Sequence, residues 1–333
     1  MMEQEPRTTK GWSERWIGLN PMGRRAFLAA GIGWGLDALD WTMYSFALPA
    51  LIATLGISAA AGSYVATASL VASAFGGVIG GILADRYGRT RVLVFVILGF
   101  ALFTALTATS QDLTQLFLWR ILLGLAYGAE WAVGAALLAE YARPDQRGRL
   151  MGVLQSCYAI GWAVSTAFYL LSFALLPEST AWRVLFLVGI IPAIAAFYIR
   201  RRTQDNVQVR ESTTKTSPLL LFRDGRARTT VLATLLGTGV QGIYYSVIIF
   251  LPLFLVSVRH ISVVGTATYT WVTIVGSFVG YVVAGFLHDA VGRRPAFTTF
   301  FVGSAASICV FVTFPISGIG IGLIVTFALG FFS

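Results

Sequence analysis

The sequence predicts an all-α, polytopic membrane protein with two pseudo-symmetric six-helix bundles, of which about ten helices are present. Two observations indicate a membrane protein: 56% of the 333 residues are hydrophobic, and only 12% are charged. That charged fraction is roughly half of what a soluble domain carries. The third observation is an internal repeat, because a pattern of glycine and charge around Asp85 returns around Asp289. Duplicated bundles of this kind are typical of secondary transporters.

Ten apolar runs are long enough, at about 20 residues, to cross a bilayer as helices. The last run reaches Ser333 without a polar flank, so we expect the second bundle to be truncated after about four helices. The domains predicted are a cytoplasmic tail at 1–25, a first bundle at 26–200, a cytoplasmic linker at 201–227 and a second bundle at 228–333. The spans are expected at approximately 26–55, 62–84, 92–110, 113–140, 148–176, 181–200, 228–257, 264–288, 296–314 and 317–333.

Positive charge alternates sharply between the loops. Of the 24 Lys and Arg residues, 21 lie in the tail and in the loops that would share its side, and the exceptions are Arg120, Arg183 and Arg259. Cytoplasmic loops carry such an excess of basic residues. We therefore expect a multi-pass protein of the inner (plasma) membrane with a cytoplasmic N-terminus. The net charge of +9 then reflects topology, and we expect no nucleic-acid partner.

The internal repeat follows the second and the eighth predicted span. The segment GILADRYGRTR, residues 81–91, matches the segment GFLHDAVGRRP, residues 285–295, at an offset of 204. Small residues upstream, at i, i+4 and i+8, also align and would let another helix approach closely. A basic turn set only by charge topology accounts for one copy but not for two in register. We predict that these segments gate a conformational change; the gating residues would be Gly81, Asp85, Arg86, Gly88, Arg89, Gly285, Asp289, Gly292, Arg293 and Arg294.

The two segments resemble the signature loop that the major facilitator superfamily carries between helices 2 and 3 and again between helices 8 and 9. The resemblance covers essentially the whole chain and implies a twelve-helix fold that continues beyond Ser333. RILLGLAYGAEW is similar to the family's helix 4, so Arg120 matches its conserved arginine. GLDALDWTMYSFALP and GLAYGAEWAVGAALLAE are similar to proton-coupled importers of organic acids, above all to the sialate and lactate symporters.

Two features bear on the branch of that family. Many relatives carry P-E-S-x-x-W after helix 6, where this chain reads TQDNVQVRES, which weakens assignment to a named subfamily. Helix 5 has no G-P-x-x-G-G motif, and this argues against the multidrug antiporters.

Four ionisable residues fall inside predicted spans: Asp37 and Asp40 in helix 1, and Arg120 and Glu130 in helix 4. Such residues are costly in a bilayer and usually face the bundle interior, where they serve a function. Desolvation and a second nearby carboxylate both favour the protonated form of a carboxyl. We therefore predict that Asp37, Asp40 and Glu130 provide proton coupling. The alternative is that one aspartate only pairs with Arg120 and holds the two helices together.

Arg120 offers a planar fork of donors that suits a carboxylate. We predict that it binds the anionic group of the solute, and a permanent bond to Asp40 is the alternative. Both hold in sequence if a solute carboxylate displaces Asp40, which then takes a proton. Neutral polar side chains in these spans would be unsatisfied in lipid and are expected to face the interior, unless they serve only helix–helix hydrogen bonding. The other predicted solute-binding residues are Tyr44, Gln155, Tyr158, Gln241, Tyr244 and Tyr245.

The pattern argues against enzymatic work. The sequence has no G-x-S-x-G motif, no P-loop and no His and Cys set at metal-ligand spacing, so we expect no cofactor and no metal. We predict proton-coupled uptake of a small, monocarboxylate-like organic anion by alternating access, carried out by a monomer whose partners are the solute, the proton and the lipid bilayer. Export or uniport of another small solute is one alternative, and a non-transporting membrane sensor is the other.

Overall fold

The computed structural model of the protein describes residues 21–141, 146–190, 225–257, 263–313 and 319–333, together with the single positions Leu19, Ile194, Phe222 and Arg259. Within these residues the regular structure is helical, as predicted, and it comprises ten helices in chain order. They are α1 (Pro21–Leu55), α2 (Ala59–Tyr87), α3 (Arg89–Ala108), α4 (Leu113–Tyr141), α5 (Arg147–Leu175), α6 (Glu178–Val188), α7 (Ala227–Ser257), α8 (Val263–Val291), α9 (Arg293–Thr313) and α10 (Ile319–Phe332).

Seven of the described helices are long and apolar enough to cross a membrane. Almost all of the predicted tail at 1–25 and linker at 201–227 lies outside the described residues. The first helix begins earlier than predicted, at Pro21, and therefore includes Arg24 and Arg25. The early start agrees with the preference of proline for the first turn of a helix, where its missing N–H has no intrahelical partner to lose.

The turns of the internal repeat are shorter than predicted. The helix α2 continues through Asp85 and Arg86 to Tyr87, and only Gly88 separates it from α3. In the second copy only Gly292 separates α8 from α9. Both glycines have positive φ, 97° and 88°, a conformation that residues with a Cβ rarely adopt. One glycine therefore reverses the chain in each half, and the charged residues of the repeat are helical and do not lie in a loop.

Small-residue stripes bring helices into backbone contact in both halves. A methyl group built on Gly76 would collide with the backbone of Leu125, so α2 crosses α4 with no side chain between them. A methyl group built on Gly280 would likewise collide with the backbone of Phe331, so α8 crosses α10 in the same way. Gly76 and Gly280 are separated by the repeat offset. The two copies of the sequence repeat therefore pack in the same way. Small residues at a helix interface in a membrane allow such close approach of the backbones.

The helix α1 lies in the interior of the first bundle. A methyl group built on Gly161 of α5 would collide with the backbone of Gly35, and α1 also packs against α4 and α6. Towards its C-terminal end α1 contributes Leu39, Met43 and Leu51 to a buried apolar cluster with Trp182 and Phe186 of α6. The polar residues of α1 are consequently surrounded by protein on most sides.

Arg183 and Arg259 cap helix C-termini. They are the two basic residues, besides Arg120, that depart from the charge pattern of the loops. Arg183 donates from Nη1 to the carbonyl oxygen of Ala108, at the end of α3, over 2.7 Å. Arg259 donates from Nη2 to the carbonyl oxygens of Phe311 and Val312, near the end of α9, over 2.8 and 3.3 Å. Ala108 and Val312 are equivalent in the repeat. A cation at a helix C-terminus satisfies free carbonyl groups and opposes the helix dipole.

We expect Arg183→Gln to lower the free energy of unfolding by about 1 kcal/mol, because the charge-assisted bond to Ala108 is lost. The measurement is the thermal unfolding midpoint of the purified protein in detergent. Arg91→Gln is the matched control. Arg91 is exposed in the first turn of α3, the helix whose C-terminus Arg183 caps. A cation at a helix N-terminus is not stabilised by the helix dipole, so its removal should not lower stability. Equal destabilisation by both substitutions would contradict the capping role.

Candidate functional site

Four ionisable side chains of α1 and α4 are buried within the first bundle. Their exposed fractions are 0% for Asp37, 4% for Asp40, 1% for Arg120 and 4% for Glu130. Burial of a charge this complete requires a compensating partner or a change of protonation. The four residues have different neighbours: Asp40 and Arg120 pair with each other, whereas tyrosine side chains lie near Asp37.

Asp40 and Arg120 form a buried ion pair. Arg120 donates from Nη1 to Oδ2 of Asp40 over 2.8 Å. The bond is single: Arg120 Nε and Asp40 Oδ1 are both buried and make no hydrogen bond with the described residues. An arginine and a carboxylate can form two parallel bonds, so this pair retains donor and acceptor capacity for a further group.

Aromatic rings hold the guanidinium group of Arg120 in place. Its Cζ atom lies 4.4 Å from the centroid of the Tyr44 ring and 5.8 Å from that of Phe186. Tyr44 is itself fixed, because its hydroxyl donates to the carbonyl oxygen of Gly62 over 2.8 Å. Cation–π contacts of this geometry stabilise an arginine that has left water. Tyr44, predicted to bind solute, thus contacts Arg120 and lies beside the ion pair.

Asp37 has a different environment from Asp40, although the two are separated by less than one helical turn. The side chains of Tyr127, Tyr158 and Tyr245 all lie within electrostatic range of its carboxyl group. These tyrosines belong to α4, α5 and α7, so Asp37 faces both halves of the molecule. The hydroxyl groups of Tyr127 and Tyr245 are 3.1 Å apart and form a hydrogen bond between the halves.

A chain of aromatic rings, which we call the aromatic cluster, surrounds this region and crosses from the first half to the second. Successive ring centroids are separated by 5.5 to 6.2 Å in tilted or edge-on arrangements. Rings at these separations and angles attract one another beyond their apolar burial. The cluster consists of Trp34, Trp41, Tyr127, Trp131, Tyr158, Tyr244 and Tyr245.

Glu130 lies where α4 meets α1. A methyl group built on Gly134 would lie 3.6 Å from Oε1 of Glu130 and 3.9 Å from Cβ of Ala30. Oε1 of Glu130 thus lies beside Gly134, and Glu130 is ten residues along α4 from Arg120, roughly 15 Å along the helix axis. Its neighbour Trp131 contributes to the aromatic cluster through its contact with Trp34.

The neutral polar candidates divide into two groups. Tyr158 and Tyr244 are buried in the aromatic cluster, Tyr245 is partly buried there, and Gln155 is half-buried beside Tyr281. Gln241, expected in the interior, is exposed instead. Over residues 227–243 of α7 the described helices provide little cover, and a methyl group built on any glycine there would meet no described atom within 4 Å.

Two residues of this region were not singled out from the sequence, Tyr127 and Tyr281. Helical spacing is a signal that could have identified them, since Tyr127 precedes Glu130 by three residues and Tyr281 precedes Gly285 by four. A tyrosine in an apolar span is common, however, and spacing alone does not separate a site residue from a packing residue.

The second copy of the repeat joins the two halves. Asp289 of α8 accepts hydrogen bonds from the backbone N–H groups of Gly148 and Arg149, at 2.9 Å each, and from Nε of Arg149 at 3.1 Å. Gly148 and Arg149 form the first turn of α5, where free N–H groups and the helix dipole favour an anion. Asp289 thus caps a helix of the opposite half.

The helices α5 and α8 also touch through their backbones at this end. A methyl group built on Gly285 would lie 2.8 Å from the carbonyl oxygen of Gly148 and 3.1 Å from Cα of Gly152. Only glycine fits at such a crossing without moving the helices. The ends of the two halves that carry the repeat are therefore closed against each other in this conformation.

The first copy of the repeat has different neighbours. The side chain of Asp85 is about half exposed and lies 4.0 Å from Arg89, and Arg86 stacks on the ring of Tyr87 at 5.3 Å. Gly81 has no described atom within 4 Å of a built methyl group, and Arg293 and Arg294 of the second copy are exposed. Among the described residues, Asp289 caps a helix of the opposite half, whereas Asp85 is half exposed.

Comparisons with known proteins agree with this architecture. The chain is 39% identical over 280 residues to a probable 4-methylmuconolactone transporter of Cupriavidus pinatubonensis, an alignment that covers 83% of this chain and 65% of that protein. It is 30% identical over 291 residues to a cis,cis-muconate transport protein of Acinetobacter baylyi, covering 84% and 70%. It is 24% identical over 293 residues to a sialic acid transporter of Escherichia coli, covering 87% and 71%. The chain thus spans about two-thirds of the length of these relatives.

Among solved structures, the chain resembles the proton:xylose symporter XylE bound to 6-bromo-6-deoxy-D-glucose. The TM-score is 0.71 at 16% sequence identity, over 93% of this chain and 79% of that chain, and at that identity the likeness shows the fold alone. The family model of the Major Facilitator Superfamily matches residues 30–333. With a model match over nearly its whole length, the chain belongs to the Major Facilitator Superfamily.

Proposed function

We propose that the protein is a secondary active transporter that takes up a small organic anion together with a proton by alternating access. The observation that carries the proposal is the burial of Asp37 and of the Asp40–Arg120 ion pair beside rings contributed by both halves. Carboxyl groups in such a place are costly unless they serve a function. The names of three relatives refer to 4-methylmuconolactone, cis,cis-muconate and sialic acid, and organic acids are the solute class we assign here.

Arg120 exchanges partners in the proposed cycle. Its single bond to Asp40 leaves Nε available for a solute carboxylate. As the carboxylate takes over the guanidinium group, Asp40 loses its cation in a low-dielectric setting and accepts a proton, which neutralises it. Release of the solute on the other side restores the ion pair and expels the proton. One anion and one proton move together in this exchange.

Asp37 provides the second proton-binding carboxyl group. A solute anion beside the aromatic cluster and an ionised Asp37 would repel each other, so anion binding and protonation of Asp37 favour each other reciprocally. The phenols of Tyr127, Tyr158 and Tyr245 are among the groups near Asp37, and the Asp40–Arg120 pair is less than one turn along α1. Glu130, at the contact of α4 with α1, is the third candidate proton site.

The closed contact between α5 and α8 is the proposed inner gate. The basic residues that flank it, Arg147, Arg149, Arg293 and Arg294, belong to the loops predicted to be cytoplasmic. On this topology the N-terminus is cytoplasmic and the repeat segments lie at the inner face. Opening the gate breaks the bonds of Asp289 to Gly148 and Arg149 and separates Gly285 from Gly152.

We expect Asp37→Asn to weaken the dependence of uptake on the pH gradient, because the amide keeps the shape of the carboxyl group but binds no proton and leaves only Asp40 to couple uptake to protons. The full-length gene product in liposomes is given labelled cis,cis-muconate with the outside more acidic than the inside. Exchange of labelled for unlabelled solute without a gradient should persist, since it needs no net proton movement. The control is Asp112→Asn, in the exposed connection between α3 and α4.

An unchanged response of Asp37→Asn to the pH gradient would remove Asp37 from the proton pathway. If uptake by the unsubstituted protein does not depend on the pH gradient, symport is contradicted and uniport is favoured. If the gradient instead drives solute out of loaded liposomes, export is favoured.

We expect Arg120→Gln to destabilise the fold by about 3–5 kcal/mol, because it leaves Asp40 buried without its cation. The double variant Arg120→Gln/Asp40→Asn removes both charges and should recover most of that stability in thermal unfolding. Binding of labelled cis,cis-muconate should nevertheless remain impaired in the double variant, since Arg120 also binds the solute. Recovery of full affinity in the stable double variant would show that the ion pair only holds α1 to α4.

We expect Asp289→Asn to raise the ratio of molecules with an open inner gate to molecules with a closed one by about tenfold. The reason is that the charge-assisted cap on α5 becomes a neutral hydrogen bond. Distances between spin labels at the exposed positions Arg147 and Val291 would report the separation. The control is Asp112→Asn, which makes the same carboxyl-to-amide change at the exposed start of α4. A distance distribution identical to that of the unsubstituted protein would refute the gating role of Asp289.

A further inference from the structure

Three buried polar atoms at the interface between the halves make no hydrogen bond with the described residues. They are Nε1 of Trp34, the hydroxyl group of Tyr244 and the hydroxyl group of Tyr281. The side chains are 7%, 8% and 9% exposed, and all three belong to one buried cluster. The hydroxyl group of Tyr281 lies near both the hydroxyl group of Tyr244 and the side chain of Gln155, yet none of these contacts satisfies normal hydrogen-bond geometry.

Buried donors without a partner are uncommon, because each loses its bonds to water and gains nothing in return. One buried donor without a partner can result from a slight misalignment of its side chain. Three such donors in a single cluster indicate a common cause. An indole N–H group only donates, and a phenol hydroxyl group donates readily. The group that would satisfy all three is therefore an acceptor with more than one oxygen.

The location of these donors connects them to both halves and to the gate. Trp34 lies on α1, while Tyr244 and Tyr281 lie on α7 and α8. The backbone carbonyl oxygen of Tyr281 contacts the glycine crossing, since a methyl group built on Gly152 would lie 2.5 Å from it. The side chain of Tyr281 lies beside Gln155, less than one turn further along α5. Tyr281 therefore lies next to the closed contact between α5 and α8, and Trp34 and Tyr244 belong to the same buried cluster as Tyr281.

We propose that Trp34 Nε1, Tyr244 OH and Tyr281 OH form a three-donor subsite that holds a carboxylate group of the transported solute at the closed end of its path. The proposal rests on the proposed function, in that the solute is an organic anion. It adds Trp34 and Tyr281 to the solute-binding residues. A carboxylate offers several lone pairs on two oxygens, enough for one donor each from α1, α7 and α8.

The ring faces of the same cluster complete the subsite. The rings of Trp34 and Tyr158 lie 5.5 Å apart, and those of Tyr158 and Tyr244 lie 5.8 Å apart, so apolar walls adjoin the donors. Apolar walls with a few placed polar groups are the usual composition of a small-molecule site. A solute that bonds to Trp34 on one half and to Tyr281 on the other would bridge the two halves next to the gate.

The test compares Tyr281→Phe with Tyr269→Phe in the full-length protein. Tyr281→Phe removes only the hydroxyl group, and we expect the affinity for labelled cis,cis-muconate to fall about tenfold. The melting temperature of the solute-free protein should stay the same or rise, because a buried hydroxyl group without a partner has been removed. Tyr269 is on the same helix, buried in a separate apolar cluster with Leu251 and Phe311, and its substitution should leave the affinity unchanged.

Two further variants and one solute analogue keep the outcomes distinct. Tyr244→Phe and Trp34→Phe should weaken binding of the acid in the same way. Wild-type affinity in all three variants, in a protein that still prefers the acid to its neutral amide, would overturn the subsite alone. An unsubstituted protein that binds the amide as tightly as the acid would instead overturn the organic-anion function, and the subsite with it.

Discussion

The interior of the first bundle depends on the ion pair between Asp40 and Arg120. Neither charge would remain in this low-dielectric setting alone, so the 2.8 Å bond between them fixes how α1 and α4 face each other. The rings of Tyr44 and Phe186 cover the guanidinium group and extend the constraint to α6. With α1 held in this rotation, Asp37 faces the second half of the molecule, where a proton and a solute would meet.

The two halves repeat each other in fold but differ in the partners of their charged residues. Gly88 and Gly292 make the same one-residue reversal with positive φ, and the small-residue stripes of α2 and α8 make equivalent close crossings. Asp289 nevertheless caps the first turn of α5, whereas Asp85 is half exposed. The two repeat segments therefore share one backbone path, and among the described residues Asp289 shows how its carboxylate can tie one half to the other.

Two kinds of contact hold the halves together, and they differ in how they can separate. At the gate, glycine backbones touch and a carboxylate caps a helix, which is a close contact with one geometry. At the aromatic cluster, rings meet at tilted angles and 5.5 to 6.2 Å separations, so side chains with rotatable bonds make the contact instead of backbones. A rocking motion would therefore release the gate completely while the rings re-pack around a solute.

The sequence alone determined the helices and the burial of Asp37, Asp40, Arg120 and Glu130, because each follows from local hydropathy and local spacing along the chain. It did not determine the neighbours of those residues. Asp40 as the partner of Arg120 and Tyr281 beside Gln155 depend on the rotation of each helix about its axis and on which faces meet. Those faces are set by side chains 80 or more residues apart, and hydropathy reports that a residue is buried without reporting what it is buried against. Only the tertiary structure decided those contacts.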